Sequence, residues 1–324
     1  MTKNYFYFTA ILALCVIVFT SCERDDEPAG GRMTMTTAKS DVIFTVPDRK
    51  IIVNWGDRNR NVINAGRKTE AGNMYRHRFH FPNTAVRTVS IFGDISQLDG
   101  SGMELTHIDV SQNRALLNLN CMNNQLSSLD VRSNPVLVVL NCSNNQLTNL
   151  DVSNNPFLRF LYCNHNKLTH LDVRNNLGLL TLSCSNNQLT NLNVSNNTGL
   201  MTLNCSNNLL TDLDMSNNSA LRNLNVSYNQ LTNLDISHNT LMRYLKASNN
   251  QLTSLDVSKH TGLHILDISN NQFTADALNA LFESLNSFAP WRRIYIGGNP
   301  GAADSNRDIA RRKGWTVLDF RDGL

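Results

Sequence analysis

Apolar residues recur in phase every 21 positions from Leu105 to Gln272, dividing that stretch into eight copies. In the copy ending at Leu168, "LRFLYCNHNKL" places Leu158, Leu161, Cys163 and Leu168 on apolar slots and keeps Asn166 among them. The other half, "LTHLDVRNN", nearly repeats this, with Leu171 and Val173 inside. Alternation around Leu161 and Cys163 predicts a short strand. Apolar residues return too soon in either half for a helix, so both sides of each coil are expected to be extended, and the arc of stacked coils shallow. Internal repetition at this period means a solenoid. One copy buries too few side chains to offset the entropy of ordering its own backbone. Stability therefore has to come from stacking on neighbours.

The repeat aligns residue types into columns. Cys121, Cys142, Cys163, Cys184 and Cys205 share one column, which Val226, Ala247 and Ile268 continue. A slot that accepts Val or Ile is a core slot, and free Cys behaves as a small hydrophobe. A column along a solenoid does not converge on a metal as ligands must. In-register strands hold these side chains parallel and their number is odd, so reduced thiols are expected. Two asparagine columns follow: Asn124, Asn145, Asn166, Asn187, Asn208, Asn229, Asn250 and Asn271, then Asn113, Asn134, Asn155, Asn176, Asn197, Asn218 and Asn239, broken by His260. Each falls where the coil turns, and an amide can both donate to and accept from inward-facing backbone groups. The column Asp109, Asp130, Asp151, Asp172, Asn193, Asp214, Asp235 and Asp256 stacks carboxylates. These repel unless hydrogen-bonded or bound to cations, and adjoining Ser, Thr and turn amides are the cheaper partners.

The ends differ from the repeats. Within residues 41–104, "DVIFTV", "KIIVNWGD", "YRHRFHF" and "AVRTVSIFG" read as strands. "VNWGD" and the aromatic strand after it resemble the core of PKD-like β-sandwich modules, although Arg58 replaces the Gly expected after Asp57. The segment is short for a whole sandwich and reads as a β cap on the first coil. "DRNRN", Asp57 to Asn61, opens like an EF-hand loop but lacks the Gly and the closing Glu, where Lys68 stands. His77 and His80 fall on opposite faces of a strand and make no ligand pair. Residues 273–324 read as an α/β cap. Thr274 caps a helix with Leu278, Leu281, Phe282, Leu285 and Phe288 on one face. "RRIYIGGNPG" is strand and turn, Ser305 with Asp308 resembles a capping box, Gly314 closes that second helix, and "WTVLDF" is a last strand.

Residues 1–21 read as a signal: Lys3, then the apolar run "YFYFTAILALCVIVF", too short to span a membrane, then small residues before Cys22. This resembles a bacterial lipoprotein signal, which implies cleavage before Cys22 and lipidation of its thiol, with Phe19 where such signals carry Leu. An ordinary cleaved signal peptide is the alternative. Residues 22–40 have the composition of a flexible tether. Their cluster Glu23, Asp25, Asp26 and Glu27 resembles the surface-export signals of Bacteroidetes-type lipoproteins, or is simply a solvated linker.

The repeat matches the leucine-rich-repeat core L-x-x-L-x-L-x-x-N-x-L, with Cys in the third apolar slot. Together these features resemble surface leucine-rich-repeat lipoproteins of the Bacteroidetes type and, more loosely, the internalin-like class. The resemblance implies a mainly β leucine-rich-repeat solenoid facing the cell exterior from the outer membrane. It also implies binding of a host or bacterial macromolecule, protein or glycan. Past residue 21 the chain carries 28 basic and 26 acidic groups, a balance that argues against a nucleic-acid partner. No G-x-S-x-G, H-E-x-x-H, P-loop or Cys-His pair outside the repeat pattern occurs, and no cofactor or metal is implied. The expectation is a non-enzymatic adhesion module, with a ligand-free structural scaffold or a glycan-active enzyme as alternatives. Its candidate residues are the outward positions of the concave strands. Copies two to five read as mostly small and polar there, apart from Arg159, Phe160, Tyr162 and His165, which form a second cluster. Later copies carry Arg222, Tyr228, Arg243, Tyr244, Lys246 and His264, with Arg222, Arg243 and His264 in one column and Asp267 beside Lys246. Arg and Tyr are favoured at interfaces, and an acidic or glycan partner fits.

Overall fold

The structure of the protein, a computed structural model, describes residues 31–47, 51–55, 60–63, 67–68, 75–81, 83–287 and 291–320. The signal, Cys22, the acidic cluster, the turn at Asp57 and Phe288 lie outside the described residues. Short strands recur along the repeats: β10 (Asn118–Asn120), β11 (Val139–Asn141), β12 (Phe160–Tyr162), β13 (Thr181–Ser183), β14 (Thr202–Asn204), β15 (Asn223–Asn225), β16 (Tyr244–Lys246) and β17 (Ile265–Asp267). Each pairs in parallel with the next, leucine opposite leucine, as in Leu119↔Leu140 and Leu140↔Leu161. The middle residue points inward and its neighbours outward, as strand alternation requires. The return side of each coil is extended and without a helix, burying residues such as Leu168, Leu171 and Val173. The result is a mainly β solenoid with one continuous core.

The asparagines stitch coil to coil. Asn166 Nδ2 donates to the carbonyls of Cys142 (3.0 Å), Cys163 (3.1 Å) and Asn164 (3.2 Å), while its Oδ1 accepts from the Leu147 amide at 3.0 Å. At the opposite turn Asn176 Nδ2 donates to the carbonyls of Val152 (3.0 Å) and Asn155 (2.9 Å). Bare buried groups of this kind cost about 1–3 kcal/mol each, so the columns are structural. The five column cysteines are free and fully buried.

The parallel ladder starts before Leu105. Strand β8 (Gln97–Asp99) pairs with β10, Leu98 opposite Leu119, so the expected boundary at residue 105 cuts through the first coil. The expectation of a tether over residues 22–40 also needs correction. Residues 32–37 form β1 (Arg32–Thr37), in which Met33 and Met35 are fully buried between outward polar residues. The alternation in "RMTMTT" outweighs a composition that otherwise reads as linker. Strand β1 pairs antiparallel with β7 (Arg87–Phe92) and with β9 (His107–Asp109), the return side of the first coil.

Strands β3 (Ile51–Asn54) and β4 (Arg60–Ile63) complete a five-stranded sheet of order β4-β3-β7-β1-β9. Facing it, β2 (Asp41–Val46), β5 (Arg67–Lys68) and β6 (Tyr75–His80) do not close a separate sheet. They extend the long one through β2–β8 pairing, in the order β8-β2-β6-β5. Trp55 joins the two layers, its ring 6.0 Å from Phe44 and 4.6 Å from Phe79. Strand β1, drawn from the end of the expected tether, supplies the strand that residues 41–104 lack by themselves.

At the other end α1 (Ala275–Ser284) is capped by Thr274, whose side chain accepts from the Ala277 amide, and buries Leu278, Leu281 and Phe282. Strands β18 (Arg292–Tyr295) and β19 (Trp315–Leu318) continue the long sheet, which counts fourteen strands among the described residues. The second helix, α2 (Arg307–Arg312), is capped by Asn306 and not by Ser305, whose hydroxyl is spent on the Ala302 carbonyl. Gly314, at φ +82°, lies just past its end. Arg292 is buried with no carboxylate partner among the described residues, its guanidinium donating to the carbonyls of Asn286 and Thr261 and lying over Trp315. Among the described residues no helix is long and apolar enough to cross a membrane.

Candidate binding face

Ladder pairing puts residues 21 apart side by side, about 4.8 Å from one another. The outward residues of the short strands and those just before them therefore form columns on the open face of the long sheet. Arg243 donates its backbone N–H to the Arg222 carbonyl and accepts from His264, so these three are adjacent. Tyr244 stands beside them, 6.3 Å ring to ring from His264 and in register with Ile265. Lys246 lies opposite Asp267. Five of the expected residues, Arg222, Arg243, Tyr244, Lys246 and His264, thus converge on three neighbouring coils.

The second expected cluster holds Phe160 and Tyr162 on one strand with Arg159 just before it. It lies three ladder steps from Arg222, about 14 Å away, so the two clusters do not merge. Neighbours half-bury Tyr162 and push its phenol up.

Tyr228 departs from expectation. It stands past the end of its strand in the turn, at φ +57°, and projects from the rim of the face. His165 occupies the equivalent turn at φ +52°, and the other coils from β10 to β17 place Asn there. The left-handed conformation suits Asn and disfavours a bulky ring, so the turn, not the strand, aims the Tyr228 side chain.

The expectation of a small, polar face in the early copies is corrected as well. The column that holds Arg159 and Arg222 also holds Leu117, which is exposed, and Val138, Leu180 and Met201, which are partly buried. Their 21-residue spacing was readable. Leucine in a leucine repeat reads as core, whereas these stand one residue before the strand. Some polar outward residues bond to one another along the ladder, as Asn120 Nδ2 does to Asp99 (3.0 Å) and Asn223 Nδ2 to Thr202 (3.2 Å).

The aspartate column lies on the exposed return side. Each carboxylate accepts from the amide two residues on, as Asp151 does from Ser153 at 3.0 Å. The Arg132 and Arg174 guanidiniums grip Asp130 and Asp172 bidentately and hold those carboxyls down to about 2. Turn amides and arginines thus take the role a cation would have filled. Among the described residues no group of three or more His, Cys, Asp or Glu side chains could hold a metal ion. A shallow groove of about 600 Å³ beside Arg132, Pro156 and Arg174 lies at the rim where the return side turns back, away from the open face.

No protein-family model and no curated protein sequence matches the chain. Among solved structures, the functional domain of InlJ from Listeria monocytogenes, which includes a cysteine ladder, is similar at 31% identity and a TM-score of 0.60 over 70% of this chain. The match covers 55% of that protein, so this chain spans about half its length. A chain in an octameric complex of Latrophilin 3, Unc5D and FLRT2 matches at 22% identity and a TM-score of 0.52, over 60% of this chain and 67% of that one. The ectodomain of the plant receptor kinase GASSHO1/SCHENGEN3 from Arabidopsis thaliana matches at 22% identity and a TM-score of 0.50, over 64% of this chain and 28% of that one. The last two show the fold alone. The fold is that of an internalin-like leucine-rich-repeat solenoid, mainly β, with two short helices among the described residues of its C-terminal part.

Proposed function

We propose that the chain is a cell-surface binding and adhesion module of eight 21-residue repeats, held to the outer membrane by lipid on Cys22 and recognising a protein or glycan on its concave face. The organisation that goes with this is a signal over 1–21, a lipid-bearing linker ending before β1, an N-terminal β unit, the repeats, and an α/β cap from 273. The observation that carries the reading is the convergence of Arg222, Arg243, Tyr244, Lys246 and His264 on one open sheet face. Arg and Tyr dominate the energetics of interfaces, and nothing in the coil's own stability calls for them there. The role is binding, not catalysis.

The test is to present the mature protein to a glycan array and to a panel of purified extracellular proteins. Arg243→Ala and Tyr244→Ala are then compared with Asp151→Ala on the return side. Each of the first two should weaken the captured interaction at least tenfold and the third should leave it unchanged. Full affinity in both face variants moves the site elsewhere, and no capture on either panel favours the scaffold reading. Separately, Cys22→Ala should leave the membrane fraction; retention there would sink the lipid anchor.

A further inference from the structure

We infer that the rim of turns holding Pro156, Phe157 and Leu177 rests on the lipid surface that carries the Cys22 anchor, so that the solenoid stands on this edge with its open face turned sideways. This rests on the lipid anchor proposed above and adds a second, non-covalent contact with the same surface. Two independent observations carry it. The first is an exposed apolar patch. Pro135, Pro156 and Leu177 share a column on the turns that lead back to the open face, and Val136 and Phe157 share the next. Phe157 and Leu177 are 62% and 63% exposed, against 39% for Leu117 and 44% for Tyr244 on the open face. The coil itself does not need them, because other copies fill these two slots with Thr198 and Gly199, Ser219 and Ala220, or Thr261 and Gly262. Leu241, 52% exposed, returns to the Phe157 column four coils on. Contiguous exposed apolar surface marks an interaction site.

The second observation is where the anchored chain joins the fold. Gly31 packs against the Gln112 backbone in the first turn of this same rim, leaving no room for a Cβ, and its amide donates to Asp94 Oδ1 at 3.0 Å. Nine residues separate Cys22 from Gly31, and nine residues span at most about 30 Å. The turns of Phe157 and Leu177 lie two and three coils from that of Gln112, about 10 and 14 Å along the rim. The lipid surface is therefore within reach of the patch, and on its side of the molecule. Tethering makes the contact intramolecular, so a small patch suffices. Phe and Leu suit the boundary between headgroups and acyl chains. Arg132 and Arg174 flank them, with stems that can lie along apolar surface while the heads stay in water. Those guanidiniums already hold Asp130 and Asp172, and Asp151 between them accepts from the Ser153 amide. Charge is nearly balanced here, so burial of the apolar side chains has to supply the contact. The opposite rim, with Tyr228, then points away from the membrane.

The experiment puts a nitroxide on the lipidated mature protein in vesicles of phosphatidylethanolamine and phosphatidylglycerol. One label sits at Thr198→Cys on this rim, the other at Gln188→Cys on the opposite rim of the same coil. Both sites are exposed, and the five column cysteines are buried, so the label goes to the new thiol. The ratio of collisions with oxygen to collisions with a water-soluble nickel chelate rises on entering lipid. It should be higher at the Thr198 site than at the Gln188 site by about threefold or more. In the double variant Phe157→Asp with Leu177→Asp the two ratios should become equal, with membrane retention and the melting transition unchanged. Loss of the difference in high salt would make the contact ionic and overturn the inference. Equal ratios in the protein with its patch intact, while Cys22→Ala still leaves the membrane fraction, overturn the rim contact and leave the anchor standing. Retention of Cys22→Ala overturns the anchor and this inference with it. A dimer in detergent that the double variant dissociates, with both labels in water on vesicles, assigns the rim to a second copy and overturns it too.

Discussion

The two asparagine columns sit at the two turns of the same coils and look interchangeable as sequence, yet they do different work. At the turn after the open-face strand, Asn166 uses both ends of its amide, accepting from Leu147 N–H and donating to carbonyls of its own and the preceding coil. At the opposite turn Asn176 only donates, to two carbonyls, and its Oδ1 is enclosed with no partner. Asn134, Asn155, Asn197, Asn218 and Asn239 repeat that stranded oxygen. In the last repeat His260 takes the donor-only slot and its Nε2 reaches the Ile236 carbonyl at 3.1 Å, while the two-ended slot there stays Asn271. Asn299 carries the two-ended pattern into the C-terminal unit. The lesson is that a column's tolerance of substitution reports which half of the amide the fold needs. Imidazole can replace a donor, but it cannot serve as donor and acceptor in the geometry of a carboxamide.

The comparison can be broken most forcefully through the cysteines, because the two-ended asparagines hang on their carbonyls. Burial pushes all five thiols up, Cys142 and Cys205 to about 12. A thiol held protonated in the fold but free to ionise in the open chain lends its full stability below the unfolded value of about 8.5. That stability drains away as pH rises toward the folded value. Each such thiol removes up to about 1.4 kcal/mol per pH unit in this window, and five acting together remove about 7 kcal/mol per unit. Urea midpoints of the mature protein should therefore collapse between about pH 9 and 11. The slope should lessen in Cys142→Val and lessen further with Cys163→Val added. A flat profile would mean the thiols are hydrated.

Alanine replacement separates the columns next. Asn166→Ala bares the Leu147 amide and takes one donor from the Cys142, Cys163 and Asn164 carbonyls, which keep Asn145, Asn187 and the Asn144 amide, at about 2–4 kcal/mol. Asn176→Ala takes one donor from the Val152 and Asn155 carbonyls, which keep the Asn155 and Leu158 amides, and also removes an oxygen that had no partner; it should cost about 1–2 kcal/mol. Histidine sharpens the contrast: Asn176→His should stay within about 1 kcal/mol of wild type, whereas Asn166→His should approach the alanine variant. Equal effects at the two turns, read by denaturant titration at pH 7.5, would erase the distinction.

The smallest effect belongs to His260. Burial pushes its imidazole below the ordinary value, and its Nδ1 has no partner to accept a proton's charge. With the folded value depressed, its stability is complete above about pH 6.5 and declines as pH falls. His260→Asn should leave the protein as stable at pH 7.5 and more stable than wild type at pH 5. An unchanged difference between those two pH values would show that the ring does not titrate in the fold.

Much of this was legible before any coordinates. The 21-residue phase placed Leu161, Cys163 and Asn166 correctly because each answers to its own coil: one apolar slot, one small slot, one turn with bare backbone groups. Thr274 as a helix cap was legible for the same local reason. The outward column on the open face was half legible. Arg222, Arg243 and His264 stood out by type, but Leu180 and Met201 hid among leucines, since exposure depends on a one-residue offset from the strand. Tyr228 was misplaced because its aim follows from a left-handed turn and not from strand alternation.

The sequence by itself determined the coil: its period, its inward residues, the thiol column and the two asparagine turns. Each of these follows from interactions that close within one or two neighbouring copies. Only the tertiary structure decided what lies at the ends of the ladder and on its surface. Strand β1 enters a sheet by pairing Arg32 with Phe92 and Thr36 with His107. Strand β2 extends the long sheet by pairing Thr45 with Asp99. Such pairings join residues more than fifty positions apart that share no repeat phase. Backbone hydrogen bonds carry no record of their partner in side-chain identity, so the choice falls to which edges are left open when the coils have stacked.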